Sequence, residues 1–284
     1  MNLLRLGALG LIAGALGLAS AAQAVPVVVS FQDGVGGYAG TKDTSVFGNS
    51  AGGATTRATV YGTNVKVASD GDDDLTSTFG GGTQTNSATI TGLVRFDNMF
   101  ACAAGPSRCS GPIPDVGPGN IVILSAILTV RTGSAAGDNA ASTFDFHRMI
   151  ATWGESDTFN TLTTTAVGVQ YDNVEAVSTS TATVVNPNTL SSLVNVDVTA
   201  DLQFWADNLG TSLRGWAIKP CSNEGAAPVT GCTDGWYIDS SEAATIANRP
   251  LLTVTYEVVP EPTTALLLGA GLIGLARAGS RRRA

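Results

Sequence analysis

The chain has a single histidine, His147, in 284 residues. A multi-histidine metal centre is therefore excluded. Charge is also scarce. Asp, Glu, Lys and Arg make up 13% of the chain, against about 25% in an average globular protein. Lys and Arg number 15 and Asp and Glu 23, a formal net charge of −8. Such a chain lacks the basic surface that a phosphate backbone demands, so no nucleic-acid partner is expected. Aromatic residues are 6%. No run of about 18–20 apolar residues occurs, so no permanent full-length membrane span is expected.

What is present sits first at the two ends. Residues 1–24 read as a secretory signal: Arg5 supplies the positive start, residues 6–18 are small and aliphatic, and Ala22-Gln23-Ala24 is a small-residue cleavage pattern. Glycines at 7, 10, 14 and 17 would weaken a core helix here. This reading implies a signal peptidase, export by the Sec route and an oxidising compartment. At the other end, Pro260-Glu261-Pro262 precedes an uncharged stretch, 263–276, and then Arg277, Arg281, Arg282 and Arg283. As a short apolar helix that stretch would span about 21 Å, less than the roughly 30 Å hydrocarbon core. The arginines would hold to the cytoplasmic side.

These three parts, in this order, resemble the PEP-CTERM sorting signal. The resemblance implies processing near Pro260-Glu261-Pro262 by an exosortase, transient contact with the inner membrane of a Gram-negative bacterium that makes exopolysaccharide, and delivery to the cell surface or beyond. A degraded tail anchor is the plainer alternative. The chain thus divides into a signal (1–24), one domain (25–258) and a sorting tail (259–284). Without the two ends, ten basic and 22 acidic residues remain, a net charge of −12.

The domain's periodicity is two, not 3.6. Along residues 121–130, Val122, Leu124, Ala126, Leu128 and Val130 alternate with Ile121, Ile123, Ser125, Ile127 and Thr129. Val194, Val196 and Val198 alternate with Asn195 and Asp197, and Leu252, Val254, Tyr256 and Val258 with Thr253, Thr255 and Glu257. Phe144, Phe146 and Arg148 alternate with Asp145 and His147. These are strands with one buried face, and segments 88–97 and 57–68 read as further strands. Gly- and Pro-rich connections fall at 34–53, 80–87, 101–120 and 220–235, and 156–192 reads as strand plus long loop. One short helix is expected at 200–208, capped by Thr199, with Leu202 and Trp205 on one face and Gly210 as its stop. The fold class is all-β, a jelly-roll-like β-sandwich, with a barrel as runner-up.

Several segments in order resemble the DNRLRE family of extracellular domains: Leu93-Val94-Arg95-Phe96-Asp97; residues 123–128; Trp153-Gly154-Glu155 with Thr158-Phe159-Asn160; Val196-Asp197-Val198-Thr199 with Leu202 and Trp205; and Ser240-Ser241-Glu242 with Arg249-Pro250 and the strand to Tyr256. The name-giving string is absent and the insert at 98–120 is long. The resemblance implies a secreted, wall- or matrix-associated β-sandwich, in some members binding polysaccharide.

Candidate chemistry is sparse. Cys102 and Cys109 flank one loop and Cys221 and Cys232 another, so disulfides 102–109 and 221–232 are expected among the three possible connectivities; spacings of seven and eleven fit zinc poorly. Asp70-Gly71-Asp72-Asp73-Asp74 concentrates four carboxylates. Asp70, Asp72 and Asp74 have the opening spacing of a Ca²⁺ loop, but Leu75 and Gly81 stand where that loop needs Gly and Glu. An acidic solvated turn is the other reading. Trp205 and Trp216 read as core; Trp236 and Tyr237 are better candidates for a sugar platform than those two, although core packing is the favoured reading for them as well. A Ser-His-Asp triad would need His147 beside a serine and an acid, and Asp145 shares its face. Glu155 with Asp157, or Glu242 with Asp239, are nominal glycosidase pairs, although Glu242 would also suit Arg249 as a partner. The reading favoured is a non-catalytic exported protein, with exopolysaccharide as a candidate ligand. A polysaccharide-acting enzyme and a purely structural coat or adhesive protein are the alternatives.

Overall fold

A computed structural model of the chain describes residues 24–48, 58–70, 78–79, 82–83, 90–101, 111–134, 143–162, 168–186, 188–208, 213–220, 235–259 and 271. It is a β-sandwich. One sheet has four strands in the order β1 (Val27–Phe31), β13 (Leu251–Val258), β7 (Ile121–Arg131) and β10 (Leu193–Asp197). The other runs β12 (Gly235–Asp239), β3 (Lys66–Asp70), β6 (Ile90–Phe96), β11 (Trp216–Pro220), β8 (Thr143–Arg148) and β9 (Ala182–Val185), with β2 (Thr41–Phe47) also paired to β6. A small ribbon pairs β4 (Thr78–Phe79) with β5 (Gly82–Thr83). All strand pairings are antiparallel. Each of the two large sheets keeps its own edges, so the architecture is a sandwich and not a closed barrel.

The core lies between the sheets. Phe31, Ala126, Leu128, Val130, Val196, Leu252 and Val254 from the first sheet meet Val94, Phe96, Phe144, Phe146, Trp216, Ile218, Trp236 and Ile238 from the second. The alternation expected for β10 and β13 is the alternation found. In β7 it breaks. Ile121 and Ile123 are buried while Val122 and Leu124 are exposed, yet from Ala126 onward the even-numbered residues are buried. The cause is a β-bulge: Tyr256 pairs with Ile123 and Thr255 with Ser125, so Leu124 is an extra residue that flips the face.

The second sheet is buried on both sides. On its outer face Val46, Leu93 and Ala217 pack under Met149, Trp153, Leu162, Val169 and Ala176 from the segment after β8. That segment, expected to be strand plus loop, is mostly a cover, and only Ala182–Val185 pairs as a strand. Arg95 holds it in place. Its guanidinium donates to the Trp153 carbonyl, pairs with Asp97 at 2.8 Å and lies 4.8 Å from the Trp153 ring centre. Trp153 Nε1 in turn donates to the Arg214 carbonyl at 2.6 Å. Gly215 sits at φ +67°, and a Cβ there would lie 2.0 Å from the Val94 carbonyl oxygen, so the entry to β11 lies as close to β6 as it does only because this residue is glycine.

The one α-helix among the described residues, α1 (Thr199–Asp207), buries Leu202, Trp205 and Ala206. The N-cap is Val198, not Thr199. Thr199 has another task. Its hydroxyl donates to Asp197 at 2.6 Å and accepts the Ala126 N–H at 2.9 Å. Gln203 takes the Ile123 N–H at 2.8 Å and donates to the Ile121 carbonyl at 3.1 Å. The first half of β7 runs beyond β10, and these two side chains supply the hydrogen bonds a neighbouring strand would have made. Gly210 lies outside the described residues. Two other expectations change. The predicted strand 57–68 begins only at Lys66 and runs on to Asp70 as β3, because a turn closes from Asn64 N–H to the Tyr61 carbonyl at 3.0 Å. The predicted connection 34–53 contains β2.

The bulge makes a direct prediction. Leu124→Ser leaves stability within about 0.5 kcal/mol, as for an exposed site. Ile123→Ser costs about 2–4 kcal/mol through a cavity and a buried hydroxyl. Urea-unfolding midpoints measure both, and equal costs would contradict the bulge.

Candidate functional site

The sorting tail leaves the domain from inside a sheet. β13 lies between β1 and β7, and Val258, its last residue, pairs with Ile121. Val259 still donates its N–H to the Asn120 carbonyl at 2.9 Å. Pro260 follows at once, so no linker separates the last backbone hydrogen bond from Pro260-Glu261-Pro262. Val27, at the start of β1, pairs with Tyr256. Both chain ends therefore leave the sandwich at the same end. Ala22, Pro260, Glu261, Pro262, Arg281, Arg282 and Arg283 lie outside the described residues; Ala24 is the first residue described.

The candidate sugar platform is not at the surface. Trp236 is 1% and Tyr237 2% exposed. Trp236 packs on Phe144, with ring centres 5.2 Å apart, and on Phe146. Tyr237, on the opposite face of β12, joins Phe47, Tyr61 and Ile90. β12 is buried on both faces, so adjacent aromatics on it serve two different cores. Asp70 is likewise not part of a solvated acidic turn: it ends β3, fully buried, opposite Ile90 and Gly235. Asp72 and Asp74 lie outside the described residues, as do Cys102, Cys109, Cys221 and Cys232. Among the described residues no group of three or more His, Cys, Asp or Glu side chains is placed to hold a metal ion.

Two polar clusters remain. In the first, Asp43 on β2 is 1% exposed and accepts the Ser241 N–H at 2.7 Å. Burial, and then the charge of Glu242, push its carboxyl well above the usual range, against the Ser241 hydrogen bonds that lower it; Glu155 adds to the rise. Glu155 pairs with Lys42 at 3.1 Å. Burial alone would lower the Lys42 ammonium, but the hydrogen bond and charge of Glu155 carry it upward. Glu155 and Glu242, from different predicted pairs, thus both act on Asp43. Their predicted partners do structural work. Asp157 accepts the Gly154 N–H at 2.8 Å and the Thr161 hydroxyl at 3.0 Å, and Asp239 pairs with Arg131 at 2.6 Å. Arg249 donates to the carbonyls of Ala243 and Asp33, and the Glu242 carboxylate accepts from the Ser241 hydroxyl at 2.9 Å.

The second cluster lies beneath the cover. His147 and Asp145 do share the outer face of β8, with Lys219 across from Asp145 on β11. His147 Nδ1 is 2.8 Å from the Val177 carbonyl. A carbonyl only accepts, so Nδ1 carries the proton. Burial lowers the imidazole's pKa; the Val177 bond and Asp145 oppose this, and Lys219 reinforces it. The ring packs 4.5 Å from Tyr171, whose phenol burial drives upward. The cluster is a shielded polar support for the cover.

The sequence reading passed over Gly48-Asn49-Ser50-Ala51-Gly52, which has the spacing of a nucleophile elbow. It follows strand β2, and Ser50 lies outside the described residues. The reading also missed an open groove of about 530 Å³ lined by Phe31, Gly36, Gly37, Tyr38, Asn98 and Pro112. The Tyr38 hydroxyl is turned inward, donating to the Asp97 carbonyl at 2.8 Å.

Trp236→Ala costs about 3–5 kcal/mol of stability by urea unfolding, as expected of a core tryptophan; an unchanged midpoint would return it to the surface. Asp43 keeps its proton to higher pH in the folded than in the unfolded chain, so stability falls as pH rises from the ordinary carboxylate range through its folded pKa. Asp43→Asn therefore raises the thermal midpoint relative to the parent more at pH 7 than at pH 3.5. The same difference at both pH values would contradict the assignment.

The profile of the PEP-CTERM protein-sorting motif matches residues 258–283. The matched region begins at the last paired residue of β13. A comparison with curated proteins gave no match. The motif supports an exported protein processed by an exosortase and placed at the cell surface or outside the cell.

Proposed function

We propose that the chain is a non-catalytic β-sandwich protein of the cell surface or extracellular matrix of a Gram-negative bacterium. It leaves the cytoplasm by the Sec route, is held briefly at the inner membrane by its tail, and is released or handed on by an exosortase. The observation that carries this reading is the sorting motif joined without a linker to β13, at the end of the sandwich where the N-terminal segment also leaves. The ordered resemblance to DNRLRE extracellular domains supports a matrix role. So does the physical work of the resembling segments: Arg95, Asp97 and Trp153 fasten the cover to β6, while Asp197, Thr199 and Leu202 turn β10 into α1. These are scaffold roles, suited to a durable extracellular domain. Exopolysaccharide is the ligand class proposed, and the groove beside Tyr38 is one concavity open to it.

In producing cells, replacing Pro260, Glu261 and Pro262 with alanine leaves the protein unprocessed in the membrane fraction, while the parent reaches the surface or medium. Identical fractionation and mass for the two would overturn the sorting role. Purified protein is retained on the producer's own exopolysaccharide, with and without EDTA. Failure to bind across a polysaccharide panel would reduce the role to a structural one.

A further inference from the structure

The end of the sandwich from which the tail departs exposes five valines. Val25 is 71% exposed, Val27 41%, Val116 40%, Val122 40% and Val259 37%. Strand pairing sets them at one end of the sheet, with Val27 on its inner face and Val122 on its outer face. Val27 is opposite Tyr256, Val122 opposite Glu257, and Val259 is bonded to Asn120. Asn120 in turn donates its side-chain N–H to the Val116 carbonyl at 2.8 Å. The charged residues on these segments are Asp115 and Glu257, with Asp207 bonded to the Gly119 N–H nearby at 3.2 Å; none is basic.

We infer that this valine rim is a membrane seat: while the tail is in the bilayer, the rim of Val25, Val27, Val116, Val122 and Val259 rests on the lipid surface. The inference rests on the tail entering a membrane, as proposed above. The occupant follows from where the chain goes. The uncharged stretch 263–276 starts four residues beyond Val259, with Pro260-Glu261-Pro262 between them. A tail that enters lipid so soon after the last hydrogen bond carries this end of the domain to the interface. The N-terminal segment leaves from the same place and, until it is removed, holds the same end down. Valines suit an apolar boundary, and a few exposed ones are too small a patch to bind a bilayer alone. The short tether supplies the local concentration that makes the contact persist. With only carboxylates on the rim, anionic lipid contributes no attraction.

The test uses the chain from Val25 to Ala284 in phosphatidylcholine nanodiscs doped with a lipid bearing a photoactivatable group. Tail insertion is scored separately, by resistance to alkaline extraction from matched vesicles. Lipid adducts are mapped by mass spectrometry. With the tail inserted, peptides covering 25–28 and 115–122 carry at least about fivefold more adduct than those covering 32–40 at the far end of β1, and a twenty-residue Gly/Ser spacer between Val259 and Pro260 removes that excess. An inserted tail with no excess at the rim overturns the seat and leaves the sorting role standing. Equal labelling with and without the spacer also overturns it. A tail that alkali extracts removes the membrane stage and the seat together.

Discussion

The pairing of β13 with both β1 and β7 is the constraint on which the molecule turns. It joins the first strand of the domain to the last and places the last in the middle of a sheet. A strand with neighbours on both sides has no free edge and does not peel away easily. The same pairing fixes where the ends go, because Val27 lies opposite Tyr256 and Val258 opposite Ile121. A sorting motif attached there is attached to one of the two inner strands of that sheet. Processing beyond Val259 leaves the strand whole.

The rest of the sandwich answers problems that this arrangement creates. β7 is longer than its partner β10, and unpaired backbone groups at its first half would be costly. Thr199 and Gln203 of α1 satisfy them with side chains. The second sheet faces the core on one side and would present Leu93, Val46 and Ala217 to water on the other. The segment after β8 covers them, fastened by the Arg95–Trp153 contact. Burial on both faces carries polar groups inside as well. Asp43, His147 and Asp201 each have a local hydrogen-bond partner, the Ser241 N–H, the Val177 carbonyl and the Trp216 indole respectively. Asp201 remains shifted upward by its burial despite the hydrogen bonds and the Arg148 charge that favour its ionised form.

How much of this could be read from the sequence depended on how many faces a strand buries. β10 and β13 bury one face, and their period of two is plain in the sequence. β11 and β12 bury both, so Trp216-Ala217-Ile218 and Trp236-Tyr237-Ile238 carry no alternation. A surface platform stayed open for the adjacent aromatics of β12 beside the favoured core reading for that reason. β2 was hidden by composition, since Thr41, Asp43, Thr44 and Ser45 are buried polar residues. The bulge at Leu124 was invisible because Ile121 to Leu124 are all apolar, and only the pairing partner shows where the face changes. The tail was the most legible part. Its signal is a linear order of residue types that needs no folding to be recognised. The gathering of Glu155 and Glu242 around Asp43 joins three distant segments, and no local pattern announces it.

On the proposed route, the β-sandwich carries two address segments at one end and loses both without losing a strand. The intact mass and terminal sequences of the protein recovered from the producer's surface or medium test it most directly. The account predicts an N-terminus at Val25 and a C-terminus beyond Val259, with Arg281, Arg282 and Arg283 gone. A recovered protein that still carries those arginines, or one cut within Leu251–Val258, would contradict it.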